Sequence, residues 1–221
     1  MNKHDLTMPN TTGIDTSPLR AAWQATWAGL GLTPRPALLG ELLQRHAEPH
    51  RHYHSTQHLL ECLGQMARIQ ALAAHPAEVL VALWFHDAIY DTQRHDNEAL
   101  SAEWARQALR EAGGDDALAD RVAQLVMATQ HRVEPATADE QVLVDVDLSI
   151  LGAPPERFAQ YEAQIQAEYA WVPAAVFSEK RREVLAGFLA RPRLYATQAF
   201  SDLYDAAARA NLRRALQVLG G

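Results

Sequence analysis

Three short stretches of this 221-residue chain carry side chains that could do chemistry together. The first is Arg51-His52-Tyr53-His54-Ser55-Thr56-Gln57-His58. His54 and His58 are four apart, so on a helix they share one face. Such a pair can place two imidazoles around one metal ion, or one on the metal and one on a substrate. Taken alone, such spacing more often marks histidines that do neither. The second stretch is Trp84-Phe85-His86-Asp87-Ala88-Ile89-Tyr90-Asp91, where a histidine and two carboxylates end an otherwise apolar run. A buried carboxylate without a partner is expensive. A divalent cation would partner Asp87, and His86 would add a nitrogen ligand; a salt bridge against a packed His86 is the alternative. Asp91, four beyond Asp87 on the expected helix face, could orient or deprotonate water at such a metal. The third stretch, Val144-Asp145-Val146-Asp147-Leu148, sets two aspartates two apart in an apolar segment. They face different sides of a helix, so one of them is expected in the site and the other at a cap, an arginine or solvent.

These residues need a scaffold, and hydrophobic periodicity supplies an all-α one. Residues 1–16 are expected to form a flexible polar leader. Ser17-Pro18 opens a helix with Leu19, Trp23, Trp27 and Leu30 on its apolar face, ended by Gly31. Further helices are expected over 37–47, 55–74 and 76–90. The last is apolar all round in its middle and so central to the fold. Amphipathic helices over 97–112, stopped by Gly113-Gly114, and 115–131 follow. Residues 138–152 have a Val-rich centre that suits a strand, but length and context favour a helix ending at Gly152. Three more helices are expected after it. No repeat or long linker interrupts the chain, and one domain over residues 17–221 is expected.

The bulk composition excludes several classes. Hydrophobic residues make up 48% and charged residues 21%, as in ordinary globular proteins. A net charge of -7 gives no general attraction for nucleic acid or an anionic membrane. The single cysteine, Cys62, rules out an intrachain disulfide framework and fits a reducing cytoplasm. The N-terminal stretch lacks the apolar run of a signal peptide, and no segment is apolar for long enough to span a membrane. A cytoplasmic protein is expected. Ten histidines stand out, most of them from His46 to His95.

Together the stretches give H-x3-H, then HD, then D, with 28 residues from His58 to His86. This order resembles the HD-domain superfamily of metal-dependent phosphohydrolases, over roughly residues 50–152. The whole chain also resembles a bacterial group of predicted HD phosphohydrolases, through RHYH, HD followed by DNE, and DVDLSILG. The resemblance implies an HD-like helical bundle with additional C-terminal helices. It implies a divalent metal held by His58, His86, Asp87 and Asp147, with Asp147 preferred over Asp145 because Asp-Leu-Ser matches the cyclic-nucleotide phosphodiesterases of that superfamily. Imidazole with carboxylate accepts Mn, Fe, Ni, Co, Zn or Mg without choosing. The same enzymes have a Tyr-His-Asn-x-x-His element whose first histidine protonates the leaving oxygen. Tyr53-His54-Ser55-Thr56-Gln57-His58 matches it except for Ser55, which makes His54 the candidate acid. Their further histidine four after HD is replaced here by Asp91, which argues against a second metal placed as in those enzymes. His86-Asp87-Ala88-Ile89-Tyr90-Asp91-Thr92 is similar to the His-Asp-x-x-Glu-Asp-Thr segment of alarmone pyrophosphohydrolases, but Tyr90 replaces the glutamate.

The implied reaction is hydrolysis of a phosphate ester or anhydride in a nucleotide or other small phosphorylated metabolite. The alternatives are an alarmone-type pyrophosphohydrolase, a noncatalytic module binding metal or nucleotide, and a helical interaction protein. His131, Arg51 and Glu98 are candidates for holding the substrate. Each has a plainer alternative: a helix-terminal histidine, a surface arginine and a helix-capping acid. Cys62, four after His58, is expected in the core rather than on the metal. Arg181-Arg182 and Arg213-Arg214 are expected on solvated faces, with a substrate or homodimer contact as the other alternative.

Overall fold

Capping residues explain where several helices begin. Thr137 and Glu140 form a capping box: the Thr137 hydroxyl accepts from the Glu140 N–H at 3.1 Å, and the Glu140 carboxylate accepts from the Thr137 N–H at 3.0 Å. Asp115 accepts from the Leu118 N–H at 2.8 Å. Pro76 and Pro155 sit in first turns, where their missing N–H costs nothing. The computed structural model describes residues 17–220, so the expected leader lies outside the described residues. The helices are α1 (Ser17–Leu30), α2 (Leu38–His46), α3 (Thr56–Ile69), α4 (Pro76–Phe85), α5 (Asn97–Glu111), α6 (Asp116–Ala128), α7 (Ala138–Asp147), α8 (Pro155–Glu168), α9 (Ala174–Ala190) and α10 (Gln198–Gly220). Two 3-10 segments, Gln70–Leu72 and Leu148–Gly152, complete the set; no strand occurs among the described residues. The fold is all-α. The Val-rich segment is helical, its capping box and neighbours overriding strand propensity. No described helix is long and apolar enough to cross a membrane.

The core is built round α4. Val79, Val81, Ala82, Leu83, Trp84 and Phe85 are fully buried, and the helix touches α1, α3, α5, α6 and α7. Trp23 packs on Trp27 and edge-on against Trp84, with ring centroids 5.3 and 5.0 Å away, and the Trp84 indole N–H donates to Thr26 at 3.2 Å. Gly31 and Gly113 follow α1 and α5 at positive φ (66° and 92°), the expected stop signals.

One boundary departs from expectation in a way that matters for the site. α4 ends at Phe85, not Tyr90. Tertiary partners take over the backbone groups that a longer helix would pair. Arg51 donates to the carbonyl oxygens of Asp87 (2.5 Å) and Ala88 (3.1 Å), and the Ile89 N–H donates to the Ser101 hydroxyl (3.0 Å). Asp91 therefore does not share a helical face with Asp87.

The C-terminal helices brace the chain beyond α7. α10 packs on α9 and on the Leu148–Gly152 turn. Asn211 donates to the carbonyls of Leu151 and Ala153, both at 2.9 Å, and the Tyr195 hydroxyl donates to Leu148 O at 3.2 Å. Gly152 lies so close to Tyr204 that an added Cβ would meet the Tyr204 Cβ at 2.6 Å.

Candidate metal centre

Three segments converge on one buried point. α3 brings His58 in its first turn, on the face that buries Leu59, Cys62 and Met66. The end of α4 brings His86 and Asp87, and the end of α7 brings Asp147. His58 Nε2 lies 3.2 Å from His86 Nε2, 3.5 Å from Asp87 Oδ2 and 3.2 Å from Asp147 Oδ1. His86 Nε2 lies 3.0 Å from Asp87 Oδ2 and 3.6 Å from Asp147 Oδ1. Donors about 2.1 Å from a common cation are separated by about 3.0 Å at right angles and about 3.4 Å at tetrahedral angles. These five separations fall in or close to that interval, as the donors of a candidate metal site would.

Two further observations fit the same ion. Asp87 Oδ2 is buried and completes no hydrogen bond of good geometry, even with His86 Nε2 3.0 Å away, a costly position for a carboxylate oxygen unless a cation faces it. The His86 Nδ1–H donates to the Leu83 carbonyl at 2.9 Å, which leaves the Nε2 lone pair of the neutral ring aimed at the cluster. His131 does the equivalent for Asp147, donating from Nε2 to Oδ2 at 3.0 Å. That contact places His131 behind a carboxylate of the cluster. Cys62 also belongs here: His58, Cys62, His86 and Asp147 offer ligand atoms all within 4.8 Å of one another, and Cys62 Sγ is 3.6 Å from His58 Nε2. Cys62 is thus both buried core and part of the cluster.

The field at this point favours positive charge. Burial works to lower the His86 imidazole, but Asp87 and Asp147 outweigh it and raise it well above its ordinary range. Burial works to raise Asp87 and Asp147, yet the surrounding imidazoles hold both below the ordinary carboxylate range. The same field pushes the Cys62 thiol up, burial first and then the two aspartates.

Asp145 is turned elsewhere. Its oxygens accept from Ala196 N (2.7 Å), Thr197 N (2.7 Å) and the Thr197 hydroxyl (2.6 Å), which ties α7 to the start of α10. Of the two aspartates, Asp147 reaches the cluster.

His54 lies at the edge of this group, and its partner was not legible in the sequence. Glu168, the last residue of α8, is 5% exposed. Its Oε1 accepts the backbone N–H groups of His52, Tyr53 and His54 at 2.8, 2.7 and 2.9 Å. Its Oε2 accepts from His54 Nδ1 at 2.7 Å and from the Tyr90 hydroxyl at 2.8 Å. Burial works against its charge, but the bonds from His54 outweigh this and bring it down to about 2. Burial likewise works to lower His54, and the charge of Asp87 with the bond to Glu168 outweighs it and raises the imidazole. Tyr90 stacks on the His54 ring, centroids 4.1 Å apart.

Not every expected residue arrives. Asp91 is exposed; its carboxylate accepts the Gln93 N–H at 2.8 Å and does not line the cavity over the cluster. Arg51 has a fully buried side chain and spends its donors on Glu48 and on the carbonyls of His54, Asp87 and Ala88. It clamps the loops that carry the site and is not exposed to a phosphate. Arg181, expected on a solvated face, is 9% exposed, paired with Glu162 and stacked 5.0 Å from the Tyr161 ring. Glu98 does line the cavity, with Gln130 donating to it at 3.4 Å.

The cavity itself has a volume of about 410 Å³. His54, His86, Asp87 and Asp147 form part of its wall, and Tyr161, Ile165, Tyr169 and Phe188 give it an apolar and aromatic part. α8 supplies Tyr161 and Ile165, Tyr169 follows its end and α9 supplies Phe188, so the segments beyond the motif shape the space above the cluster. Compared with known proteins, the chain matches no family model, no curated protein and no solved structure.

Proposed function

We propose that the chain is a metal-dependent phosphohydrolase of the HD type, acting on a nucleotide or another small phosphorylated metabolite. The observation that carries this is the set of five donor separations between 3.0 and 3.6 Å among His58, His86, Asp87 and Asp147. These four residues would hold the cation. Bound there, a divalent ion supplies Lewis-acid stabilisation of charge on a phosphoryl group and makes water more acidic.

The chain's own residues do the rest. His54 is the proton donor to the leaving oxygen: Glu168 fixes its Nδ1–H, leaving Nε2 to deliver a proton, and the raised imidazole keeps that proton available near neutrality. Asp147 is held in register by His131. The aromatic wall receives the organic part of the substrate and keeps water from it. Asp91 has no part in this scheme, because its carboxylate is engaged at the surface.

The test is a panel of nucleotides and phosphomonoesters assayed with Mn²⁺ on the whole protein. At least one member is hydrolysed, and Asp87→Ala abolishes that activity. His54→Gln lowers kcat by about 100-fold or more, with KM little changed. Equal activity in the wild type and Asp87→Ala contradicts the site. Binding of a nucleotide with no hydrolysis anywhere in the panel contradicts the enzyme and leaves a binding module.

A further inference from the structure

A second cavity adjoins the first. It has a volume of about 380 Å³ and lies between the turn after α6 and the connection from α9 to α10. Its lining includes Arg132, Arg191 and Arg193. His131 and Arg132 line both cavities, so the two share a wall. None of His58, His86, Asp87 and Asp147 lines this second space.

Arg191 and Arg193 are held by backbone carbonyls, and the carboxylates of the lining, Glu134 and Asp145, act on them only at a distance. Arg191, half-buried, donates from Nη2 to the His131 carbonyl at 3.0 Å and stacks 4.6 Å from the Phe188 ring. Arg193 donates to the Ala196 carbonyl at 3.2 Å. Among the described residues, none of the three arginines makes an ion pair with a carboxylate. Two acids also line the space. Asp145 already accepts three hydrogen bonds from Ala196 and Thr197, and Glu134 is exposed. Burial lowers the Arg191 guanidinium, with Glu134 opposing from a distance; a charge so placed gains from an anion brought beside it. The planar guanidinium fork matches the oxygens of a phosphate.

The backbone at the shared wall is also unusual. His131 has φ 55°, the one positive φ among the described non-glycine residues. Its carbonyl is held by Arg191 and its imidazole by Asp147. Strained backbone of this kind persists where surrounding contacts over-determine it, and it concentrates at ligand sites.

We propose that this cavity is a second anion site, taking a phosphate group on Arg191 and Arg193 with Arg132 at the shared rim. The site needs no metal and stands apart from the phosphohydrolase reading. Its phosphate comes either from a free anion or from a second phosphate on the molecule in the neighbouring cavity; only the latter source rests on that reading.

The experiment titrates inorganic phosphate and pyrophosphate into the whole protein with EDTA present, by calorimetry and by the rise in the thermal midpoint. Saturable binding to one site is expected. Arg191→Gln and Arg193→Gln each weaken it by about tenfold or more, while Asp87→Asn retains it. Arg193 is exposed, so its variant tests the site even if Arg191→Gln disturbs the His131 turn. No saturable binding overturns the proposal, as does binding unchanged in Arg193→Gln and a folded Arg191→Gln. Binding tightened severalfold in Asp87→Asn also overturns it, because an anion over the cluster would then be freed of that carboxylate's repulsion. With Mn²⁺-loaded protein, a nucleoside bisphosphate binding about tenfold tighter than its monophosphate, and losing that gain in Arg193→Gln, assigns the phosphate to the substrate. Equal affinities, with inorganic phosphate binding alongside the monophosphate, assign it to a free anion.

Discussion

Glu168 gathers three backbone N–H groups, an imidazole and a phenol on its two oxygens. The loop over His52–His54 is therefore shaped by one carboxylate, and so is the direction in which His54 points. The depressed Glu168 carboxyl, about 2 against an ordinary 4.5, links this network to pH. A depressed folded-state value contributes stability that is fully present above 4.5 and lost as pH falls through about 2; its size here is on the order of 3 kcal/mol. Glu168→Gln keeps an acceptor but loses the charge. It should be less stable than the wild type at neutral pH by about 1–3 kcal/mol, with the gap narrowing as pH drops below about 4.5. Urea denaturation at several pH values measures this, and a gap independent of pH would contradict it. Nothing near Glu168 in sequence announces the role. Its partner His54 is 114 residues away, and an acid at the end of an amphipathic helix reads as a solvated one. His58, His86, Asp87 and Asp147 could be singled out as candidates because their types and order are unusual in apolar surroundings, whereas Cys62 read as plain core. Asp145 and Asp147 are told apart only by which neighbours satisfy each carboxylate.

At the scale of elements, periodicity and caps located the helices well, because those signals are local. The end of α4 was not local. Its last expected turn is undone by Arg51 and Ser101, which arrive from other parts of the chain and satisfy the same backbone groups. That ending is what separates Asp91 from Asp87. The Leu148–Gly152 turn is a second such point, since α10 presses on it and Asn211 and Tyr195 bind its carbonyls. Gly152→Ala would force a Cβ to within 2.6 Å of the Tyr204 Cβ and 3.0 Å of its backbone oxygen, atoms that cannot swing aside. The variant should lose about 1–3 kcal/mol. Because the turn follows Asp147 directly, it should also bind Mn²⁺ more weakly. An unchanged thermal midpoint would show that α10 is not braced on this turn.

Across the whole molecule, the all-α fold was expected from the sequence, and the motif region contains the cluster residues. The segments beyond it do three things that no local motif foretold. α8 delivers Glu168 to His54, α8, Tyr169 after it and α9 supply the aromatic wall, and the start of α10 captures Asp145 beside Asp147. In the proposed function, His58, His86, Asp87 and Asp147 together bind one divalent ion. Calorimetric titration of metal-stripped protein with Mn²⁺ tests it most directly. One ion per chain is expected, with affinity reduced by more than about 100-fold in Asp147→Asn and binding retained in Cys62→Ala. The raised His86 imidazole must give up its proton to bind, so protons are released and affinity rises with pH. No saturable uptake, or equal affinity in the wild type and a folded Asp147→Asn, would contradict it.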